Sequence, residues 1–326
     1  MYDSAKPYKT KIEECIQQTW ETDYCTVEKH GIYPAIRKKN TKDNLKGYEI
    51  SHTDGMGTKG IYHWANRSFN HAVTDALCMN LNDLLMAKAY PYSIQNHLFL
   101  PEDDHKAIEE IMFEMSVLCK QQKIAITGGE TSIHNNMQGM EISITMNGFI
   151  KDKDIDFKNK IKDGDVILGY SSNGLHSNGF TKVRELIPLE SIITKKLALD
   201  LICSPTRNYT IHNNLRSNYI NGMMHMTGGS FTKIKDILPL DLDAHFIRLD
   251  RVESESFPIF KKLYNKIKDD KEMYKTFNCG VGFIFTTSIN NVDKFEKDGY
   301  VIIGNVTKGR GEVIINSRFS DNIVKF

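Results

Sequence analysis

The residues best suited to chemistry lie in the segment 54–59, which reads DGMGTK. The carboxylate of Asp54 is a hard oxygen ligand of the kind that Mg2+ binds, and the glycines let the backbone approach phosphate closely. Thr58 and Lys59 add a hydroxyl group and a positive charge. The chain has no Gly-x-x-x-x-Gly-Lys-Ser/Thr spacing, so this segment is not a P-loop. Taken alone, it is equally compatible with a tight turn that carries a solvated Asp and Lys.

A second group of polar residues lies in the predicted helix 71–89, which is apolar on nearly every side and should be buried. At about 100° per residue, Asp75 and Asn82 differ by roughly 20° around the helix axis, and Asp83 lies about 80° from Asp75. These residues, with Asn80 nearby, therefore share one side of the helix. Buried carboxylates need a counter-charge, and several can share a divalent cation. The alternative is that Asp75 caps the first turn while Asn82 and Asp83 bind loop backbone, but capping does not explain the later pair.

Two loops in the second half of the chain could bind phosphate. The predicted strand 165–170 leads into the Ser-, Asn- and Gly-rich loop 171–179, and the strand-like segment 223–226 leads into 227–230. The helices predicted after these loops have similar sequences, FTKVRELIP and FTKIKDILP. Backbone N–H groups at a helix N-terminus attract anions. Helix capping and an ordinary Gly-Gly turn explain the same residues equally well.

His176 lies in the first of these loops. An imidazole there could donate to a phosphoryl oxygen or transfer a proton near neutral pH. A structural histidine is the alternative. Cys279 has no histidine beside it in the sequence, and we interpret it as structural rather than nucleophilic.

The alternation of strand-like and helix-like segments predicts an α/β or α+β architecture. Apolar residues at helical spacing predict a helix over 106–122 whose apolar stripe faces the core. Residues 124–127 are typical of a strand that enters a Gly-Gly-Glu-Thr turn at 128–131, and 140–150 is typical of a further strand. The segment 276–285 is predicted to be a strand whose two interior glycines indicate a close approach of backbone or ligand.

Length and composition limit the class of protein. A chain of 326 residues is long enough for about two domains, and the polar stretch 151–165 places their boundary near Gly164, giving domains 1–164 and 165–326. With 42 Lys+Arg against 41 Asp+Glu, charge favours neither nucleic acid nor an anionic membrane as a partner. The start of the chain lacks the apolar core of a signal peptide, so we expect a cytoplasmic protein. The six cysteines form no Cys-x-x-Cys pair, which argues against zinc and disulfides.

Several segments, in order and in register, resemble the phosphoribosylformylglycinamidine cyclo-ligase (aminoimidazole ribonucleotide synthetase) family. The matching segments are 53–59, 79–83, 128–131, 172–179, 204–207, 225–229 and 273–282. The resemblance implies a two-domain ATP-dependent enzyme whose N-terminal sheet joins that of a second subunit in a dimeric barrel. It also implies a C-terminal α/β domain beside it, with nucleotide bound in the groove between the domains.

The implied reaction uses ATP and Mg2+ to close the imidazole ring of aminoimidazole ribonucleotide, a step of purine biosynthesis. ATP activates the formyl amide oxygen of formylglycinamidine ribonucleotide, and the neighbouring amidine nitrogen attacks. Mg2+ would be held by Asp54, Asp83 and Asp75. His176, Asn178 and Lys59 would act at the reacting groups. The residues implied in nucleotide or phosphate binding are Asp54, Gly55, Gly57, Thr58, Lys59, Asn82, Gly128, Gly129, Glu130, Gly228 and Gly229.

The chain departs from the family pattern at four places. The segment 29–35 has one glycine where many members are glycine-rich, 88–91 reads KAYP where the family has Gly-Ala-x-Pro, and 132–135 reads SIHN. Asn96 stands where an acidic residue is common. Substrate preference could therefore differ, and the alternatives are a thiamine-monophosphate kinase or selenophosphate synthetase type of enzyme, or a noncatalytic nucleotide-binding paralogue. The selenophosphate alternative should show a reactive cysteine in a glycine-rich N-terminal loop, and neither Cys15 nor Cys25 lies in one.

Overall fold

The computed structural model describes residues 8–29, 36–39, 47–151, 160–192, 195–295 and 299–326. The chain divides into two compact units, Met1–Asp156 and Phe157–Phe326. The predicted boundary near Gly164 lies a few residues further along the chain. Both units combine helices with a β-sheet, which is the mixed architecture that the sequence predicted.

The elements described in the first unit are α1 (Lys9–Gln17), β1 (Cys25–Lys29), β2 (Ile36–Lys39), β3 (Gly47–Gly55), a 3-10 helix (Gly57–Lys59), α2 (Gly60–Asn66), α3 (Phe69–Met86), β4 (Tyr90–Leu100), α4 (His105–Gln121), β5 (Ala125–Ile133) and β6 (Glu141–Lys151). Among these residues, four strands form a sheet in the order β3-β6-β4-β5, in which β4 and β5 are parallel and the other neighbours antiparallel. Strands β1 and β2 form a separate antiparallel pair.

Helices α3 and α4 cover one face of this sheet. The apolar stripe predicted for 106–122 is confirmed: Ile108, Ile111 and Met115 of α4 are fully buried in one hydrophobic core with residues of α3 and the strands. Asp104 caps α4 by accepting a hydrogen bond from the Ala107 N–H at 3.0 Å. Helix α3 packs on β3 and β6, which brings its polar residues to the strand that leads into the DGMGTK segment.

The opposite face of the sheet is polar in part, and Phe149, Tyr92 and Ala125 form a small apolar cluster with Cys25 of β1. Along β6, buried Ile142, Ile144 and Met146 alternate with partly exposed residues, because successive side chains of a strand point to opposite faces. On the exposed side, the Ser51 hydroxyl donates to Asn147 at 2.7 Å, and the hydroxyls of Thr53 and Thr145 lie 2.9 Å apart.

The Gly-Gly-Glu-Thr segment is part of a strand, so the predicted turn at 128–131 is wrong. β5 continues through it, with Gly129 opposite Asn96 and Glu130 opposite His97 of β4. A bulge precedes it, where consecutive residues of β4, Ile94 and Gln95, face Ile126 and Gly128. Pairing with β4 therefore overrides the turn preference of the two glycines.

The second unit is built on a seven-stranded sheet in the order β13-β12-β9-β11-β7-β10-β8, as far as the described residues show. Its strands are β7 (Asp165–Ser171), β8 (Gly222–His225), β9 (Leu242–Phe246), β10 (Val281–Ser288), β11 (Tyr300–Lys308), β12 (Val313–Asn316) and β13 (Ile323–Lys325). Its α-helices are α5 (Phe180–Leu186), α6 (Leu189–Ile192), α7 (Lys196–Ile202), α8 (Phe257–Ile267) and α9 (Asp270–Thr276). The 3-10 helices are Tyr209–Ile211, Asn213–Arg216, Ser230–Asp236, Leu249–Arg251 and Ile289–Phe295.

The segment 276–285 is only half strand. α9 ends at Thr276, a turn follows, and β10 begins at Val281, so the first glycine lies in the turn with φ +96°. The second glycine, Gly282, lies within β10. A Cβ atom there would stand 1.8 Å from the Tyr209 hydroxyl, so the close approach that we predicted is confirmed at this position.

All six cysteines lie among the described residues, and each is outside any disulfide. Burial raises the pKa of the Cys279 thiol, whose Sγ lies 3.4 Å from the Phe277 carbonyl oxygen, as expected of a structural cysteine. Among the described helices, none is both long and apolar enough to cross a membrane.

Candidate active site

The DGMGTK segment joins the end of β3 to α2 through a 3-10 helix. Asp54 Oδ1 accepts a hydrogen bond from the Gly55 N–H at 2.7 Å, and Gly57 adopts the left-handed φ of +59° that glycine tolerates. Met56 and Lys59 are fully buried, whereas Gly57 and Thr58 are exposed. The segment is therefore not a solvated turn, because Met56 and Lys59 are packed into the first unit while Asp54 is partly exposed and Gly57 and Thr58 face solvent.

Three potential metal ligands converge at the end of β3. Ligand atoms of His52, Asp54 and Asp83 all lie within 4.8 Å of one another. His52 Nε2 is 3.3 Å from Asp83 Oδ2, and the two side chains are 32% and 12% exposed. The structure thus brings together Asp54 and Asp83, two of the predicted ligands, at a position that an ion from solvent can reach.

His52 was missed by the sequence analysis. The signal was present, because His52 and Asp54 are two residues apart in a strand and therefore share a face. Asn80 of α3 links them: its Nδ2 donates to the Asp54 carbonyl oxygen at 3.1 Å, and its Oδ1 lies 2.9 Å from His52 Nδ1.

Asp75 has a different environment from Asp83. Its Oδ2 lies 2.7 Å from Lys59 Nζ and 2.8 Å from His63 Nε2, and all three side chains are fully buried. The counter-charge that a buried carboxylate requires is thus a lysine of the same unit rather than a metal ion. This corrects two predictions: we remove Asp75 from the ligand set, and Lys59 neutralises Asp75 instead of lying open to a phosphate.

The protonation of this buried cluster follows from its contacts. Burial alone would raise the pKa of Asp75, but the Lys59 ammonium and the hydrogen bond from His63 outweigh burial and hold that pKa well below its usual range. Burial lowers the pKa of His63 although Asp75 opposes it. A neutral His63 donates from Nε2 to Asp75, and its Nδ1 accepts from the Ser68 hydroxyl at 2.8 Å. Lys59 and Asp75 remain as an ion pair.

Glu141, the first residue of β6, lies beside the DGMGTK segment and was also missed. Its Oε1 accepts a hydrogen bond from the Gly57 N–H at 3.1 Å. Burial raises the pKa of Glu141 to about 7, and the charge of Asp54 adds to the rise. No short-range pattern signals this contact, because strand pairing brings the two segments together across a long stretch of sequence.

The Gly-Gly-Glu-Thr segment lies far from Asp54 within one chain. β5 and β3 occupy opposite edges of the sheet, which separates them by about 14 Å at a strand spacing of about 4.8 Å. A Cβ atom on Gly129 would meet the Asn96 amide at 2.8 Å, whereas Gly128 has open space, its nearest contact being 3.8 Å away. Glu130 is exposed, and its Oε1 accepts a hydrogen bond from the Thr131 N–H at 2.9 Å.

Asn82, another residue predicted to bind nucleotide, lies in α3 and is fully buried.

In the second unit, His176 and Asn178 are interior residues. His176 is fully buried, and its Nε2 accepts long hydrogen bonds of 3.4 Å from the backbone N–H groups of Asn173 and Arg207. Asn178 Nδ2 donates to the Met226 carbonyl oxygen at 3.1 Å. This bond brings the two predicted phosphate loops side by side. Their burial favours a structural role, in which both residues hold the two loops in place. It does not favour the proton transfer predicted for His176.

The loop 227–230 is more open than the loop 171–179. A Cβ atom on Gly228 would have no neighbour within 4 Å, and Gly229 has a φ of +81°. Lys233 Nζ donates to the Thr227 hydroxyl at 2.8 Å and places a positive charge beside the loop. The helix predicted to follow is a 3-10 segment of seven residues, so it adds little helix dipole. The helix predicted at Phe180 is confirmed as α5.

Comparison with known proteins assigns the chain to a family. Two family models match, the AIR synthase related protein N-terminal domain over residues 44–150 and its C-terminal domain over 162–316. The phosphoribosylformylglycinamidine cyclo-ligase of Methanosarcina mazei is 30% identical over 268 residues, 78% of this chain and 79% of that protein. The cyclo-ligase of Streptococcus pneumoniae is 30% identical over 285 residues, 82% of each chain. The chain belongs to the phosphoribosylformylglycinamidine cyclo-ligase family.

Solved structures outside the cyclo-ligases share the fold. Hydrogenase maturation protein HypE in complex with ATP superposes with a TM-score of 0.68 and 16% identity, covering 99% of this chain and 95% of that one. Thiamine-monophosphate kinase from Stenotrophomonas maltophilia gives a TM-score of 0.66 and 17% identity, covering 97% and 98%. At this identity the likeness establishes the two-domain fold of this cyclo-ligase family member and nothing about its substrate.

Proposed function

We propose that this protein catalyses the ATP-dependent ring closure of formylglycinamidine ribonucleotide to aminoimidazole ribonucleotide. The observation that carries the proposal is the match to cyclo-ligases across most of the chain. It is supported by the partly buried carboxylates of Asp54 and Asp83, which meet at the end of β3 beside a glycine-rich segment. Six cysteines outside any disulfide suit a reducing compartment, and we place the reaction in the cytoplasm.

The reaction is a phosphoryl transfer followed by cyclisation. The formyl amide oxygen of the substrate attacks the γ-phosphorus of ATP and releases ADP. The amidine nitrogen then attacks the activated carbon, and inorganic phosphate leaves as the ring closes. Because the chemistry belongs to ATP and substrate, the protein contributes positioning and neutralisation of charge.

The metal site of this reaction consists of Asp54 and Asp83. Their oxygen ligands fit Mg2+, which when bound neutralises negative charge on the phosphates of ATP. The exposed Thr58 would contact phosphate, and Lys59 would hold the segment in place through Asp75. In the second unit, the open backbone at Gly228 and Gly229 would hold phosphate near Lys233. His176 and Asn178 would keep that loop in register.

We also propose that the protein is a homodimer whose first-unit sheets pair into a barrel. The partly exposed polar face of the sheet, with Ser51, Thr53 and Thr145, is available for such pairing. A dimer would also supply a second copy of Gly128–Glu130, which one chain places at the far edge of its own sheet. Sedimentation equilibrium measures the mass directly, and a monomer at micromolar concentration would contradict this proposal.

The deciding experiment incubates the purified protein with formylglycinamidine ribonucleotide and MgATP and follows aminoimidazole ribonucleotide and ADP together. Equal amounts of both products are expected. Asp54→Asn should lower the rate of both by at least about 100-fold, because charge neutralisation by a metal contributes several kcal/mol to the barrier. ADP formation without ring closure in the wild-type protein would refute the proposed reaction.

The alternative is another ATP-dependent phosphotransferase with the same fold. Its support is the similarity to thiamine-monophosphate kinase, so thiamine monophosphate is the competing substrate to assay. The selenophosphate synthetase type needs a reactive thiol, yet burial raises the pKa of Cys15, and Cys25 is buried. A noncatalytic paralogue would bind ATP and convert neither substrate.

A further inference from the structure

The proposed metal site contains a nitrogen ligand. We propose that His52 Nε2 is the third protein ligand of the Asp54–Asp83 site and that it makes the site prefer a divalent transition-metal ion such as Mn2+ over Mg2+. The inference rests on the metal site of the proposed function. It concerns which ion the site selects and not which substrate the enzyme converts.

Asn80 fixes the orientation of the His52 ring. The Asn80 Nδ2 donates to two carbonyl oxygens, Asp54 O at 3.1 Å and Ala76 O at 3.0 Å. An amide flipped by 180° would point its oxygen at both carbonyls, so the observed orientation is the favourable one. Asn80 Oδ1 therefore faces His52 Nδ1 at 2.9 Å and accepts a hydrogen bond from it.

This bond determines what the other ring nitrogen can do. The other ring nitrogen, Nε2, lies 3.3 Å from the Asp83 Oδ2 carboxylate oxygen. A proton on Nε2 can bridge this pair, and a metal ion that displaces the proton would bind both atoms as ligands. Ligating histidines usually have this arrangement, in which the second nitrogen donates to an oxygen acceptor and sets the tautomer.

The distances suit one ion shared by the three residues. Ligands on adjacent positions around a first-row metal ion, each about 2.1 Å from it, lie about 3 Å apart. The 3.3 Å between Nε2 and Oδ2 is close to this value, and Asp54 lies within the same 4.8 Å group. With His52 32% exposed, an ion can enter from solvent. The Lys59–Asp75 pair, whose carboxylate lies on α3 like that of Asp83, is 0% exposed and offers no such access.

The ligand type sets the selectivity. Mg2+ prefers oxygen ligands and keeps its bound waters, so an imidazole adds little to its affinity. Mn2+ and the later first-row ions bind imidazole nitrogen more strongly. Two carboxylates with one imidazole should therefore bind Mn2+ more tightly than Mg2+, and loss of the imidazole should remove most of that difference.

The test measures metal binding directly on the full-length protein without nucleotide or substrate. Mn2+ is titrated into metal-free protein and free Mn2+ is followed by electron paramagnetic resonance, with Mg2+ as competitor. We expect one tight site that binds Mn2+ at least about tenfold more tightly than Mg2+. Electron spin echo modulation of bound Mn2+ should show a directly coordinated nitrogen.

The variants locate that nitrogen. His52→Ala should abolish the nitrogen modulation and weaken Mn2+ binding by about 10- to 100-fold, while Mg2+ binding changes by less than about threefold. His105→Ala is the matched control, because His105 lies at the start of α4, outside the cluster, and should leave both signals unchanged.

Two results would overturn the inference: no nitrogen modulation in the wild-type protein, or unchanged Mn2+ affinity in a folded His52→Ala variant. The nitrogen modulation is measured on the wild-type protein, so this outcome does not depend on whether a variant folds. Failure of the proposed function is distinguishable, since a protein that binds Mn2+ through nitrogen but forms no aminoimidazole ribonucleotide would refute the reaction and keep the ligand.

Discussion

Two clusters of ionisable side chains meet helix α3, and they differ in the source of their counter-charge. The Lys59–Asp75–His63 cluster is 0% exposed, and a lysine of the same unit neutralises its carboxylate. In the His52–Asp54–Asp83 cluster, His52 is 32% exposed and two carboxylates approach a single imidazole. The first cluster contains a lysine that neutralises its carboxylate, and the second places two carboxylates beside one imidazole.

The difference separates a structural role from a chemical one. A buried ion pair contributes little net stability, but removal of one partner leaves a charge with neither water nor a counter-ion. The carboxylates of Asp54 and Asp83 belong to a partly exposed cluster and can exchange water for a cation. Asp75 and Asp83 lie on one helix, and their surroundings rather than their chemistry decide which of them holds the fold and which is available to a ligand.

The largest expected effect comes from Asp75→Asn. The substitution leaves the Lys59 ammonium buried without a counter-charge, so the free energy of unfolding should fall by about 3–5 kcal/mol. Urea denaturation followed by circular dichroism measures this change. A loss below about 1 kcal/mol would mean that the cluster is more hydrated than the structure shows, and the contrast between the two clusters would fail.

The double variant Lys59→Met/Asp75→Leu is the control for that experiment. It removes both charges and keeps apolar bulk, so the protein should recover most of the stability lost in Asp75→Asn. A double variant as unstable as the single one would assign the loss to packing instead of charge.

In contrast to Asp75→Asn, the Asp83→Asn variant should lose activity more than stability. Because Asp83 is one of two neighbouring carboxylates and asparagine keeps its size, relief of like-charge repulsion offsets lost contacts, and the free energy of unfolding should change by less than about 2 kcal/mol. ATP turnover with formylglycinamidine ribonucleotide should fall at least about 100-fold, because a metal ligand is lost. ADP release gives the rate, and full activity in this variant would exclude Asp83 from the metal site.

The smallest effect is expected from Glu141, which borders the open cluster. Its pKa is raised from 4.5 to about 7 in the folded protein, so the folded state binds this proton more strongly than the unfolded state. The resulting stabilisation is complete below about pH 4.5 and is lost as the pH rises through 7. In metal-free buffer, the stability of wild type relative to Glu141→Gln should therefore fall by roughly 1–2 kcal/mol between pH 5 and pH 8. A pH-independent difference between the two proteins would refute the raised pKa.

The order of the motifs along the chain predicted the two-domain fold and the proximity of Asp54 to Asp83. Both predictions succeeded because the motifs that carry them can be recognised within short segments of sequence. The assignment of Asp75 failed for a geometric reason. Helical angles place Asp75 and Asn82 on one side of α3, but seven residues separate them by about 10 Å along the axis. That distance is enough for Asp75 to meet Lys59 and His63 while Asp83 meets His52.

The other differences arise from contacts across long stretches of sequence. The Gly-Gly-Glu-Thr segment has turn composition, yet pairing with β4 makes it a strand. Glu141 reaches the Gly57 N–H only because β6 pairs with β3. Local propensity carries no information about such partners. His52 is the exception, since strand alternation alone is enough to put it on the same face as Asp54.

Contacts with α3 fix the DGMGTK segment at both ends. The Asn80 amide holds the backbone at Asp54, and the buried Lys59–Asp75 pair anchors the far end. Fixing a residue's backbone costs about 1–2 kcal/mol in conformational entropy, and here most of that loss occurs when the chain folds. A phosphate group that meets the exposed middle of the segment orders few residues on arrival. Its affinity should therefore depend on charge and hydrogen bonds, with little entropic penalty from loop closure.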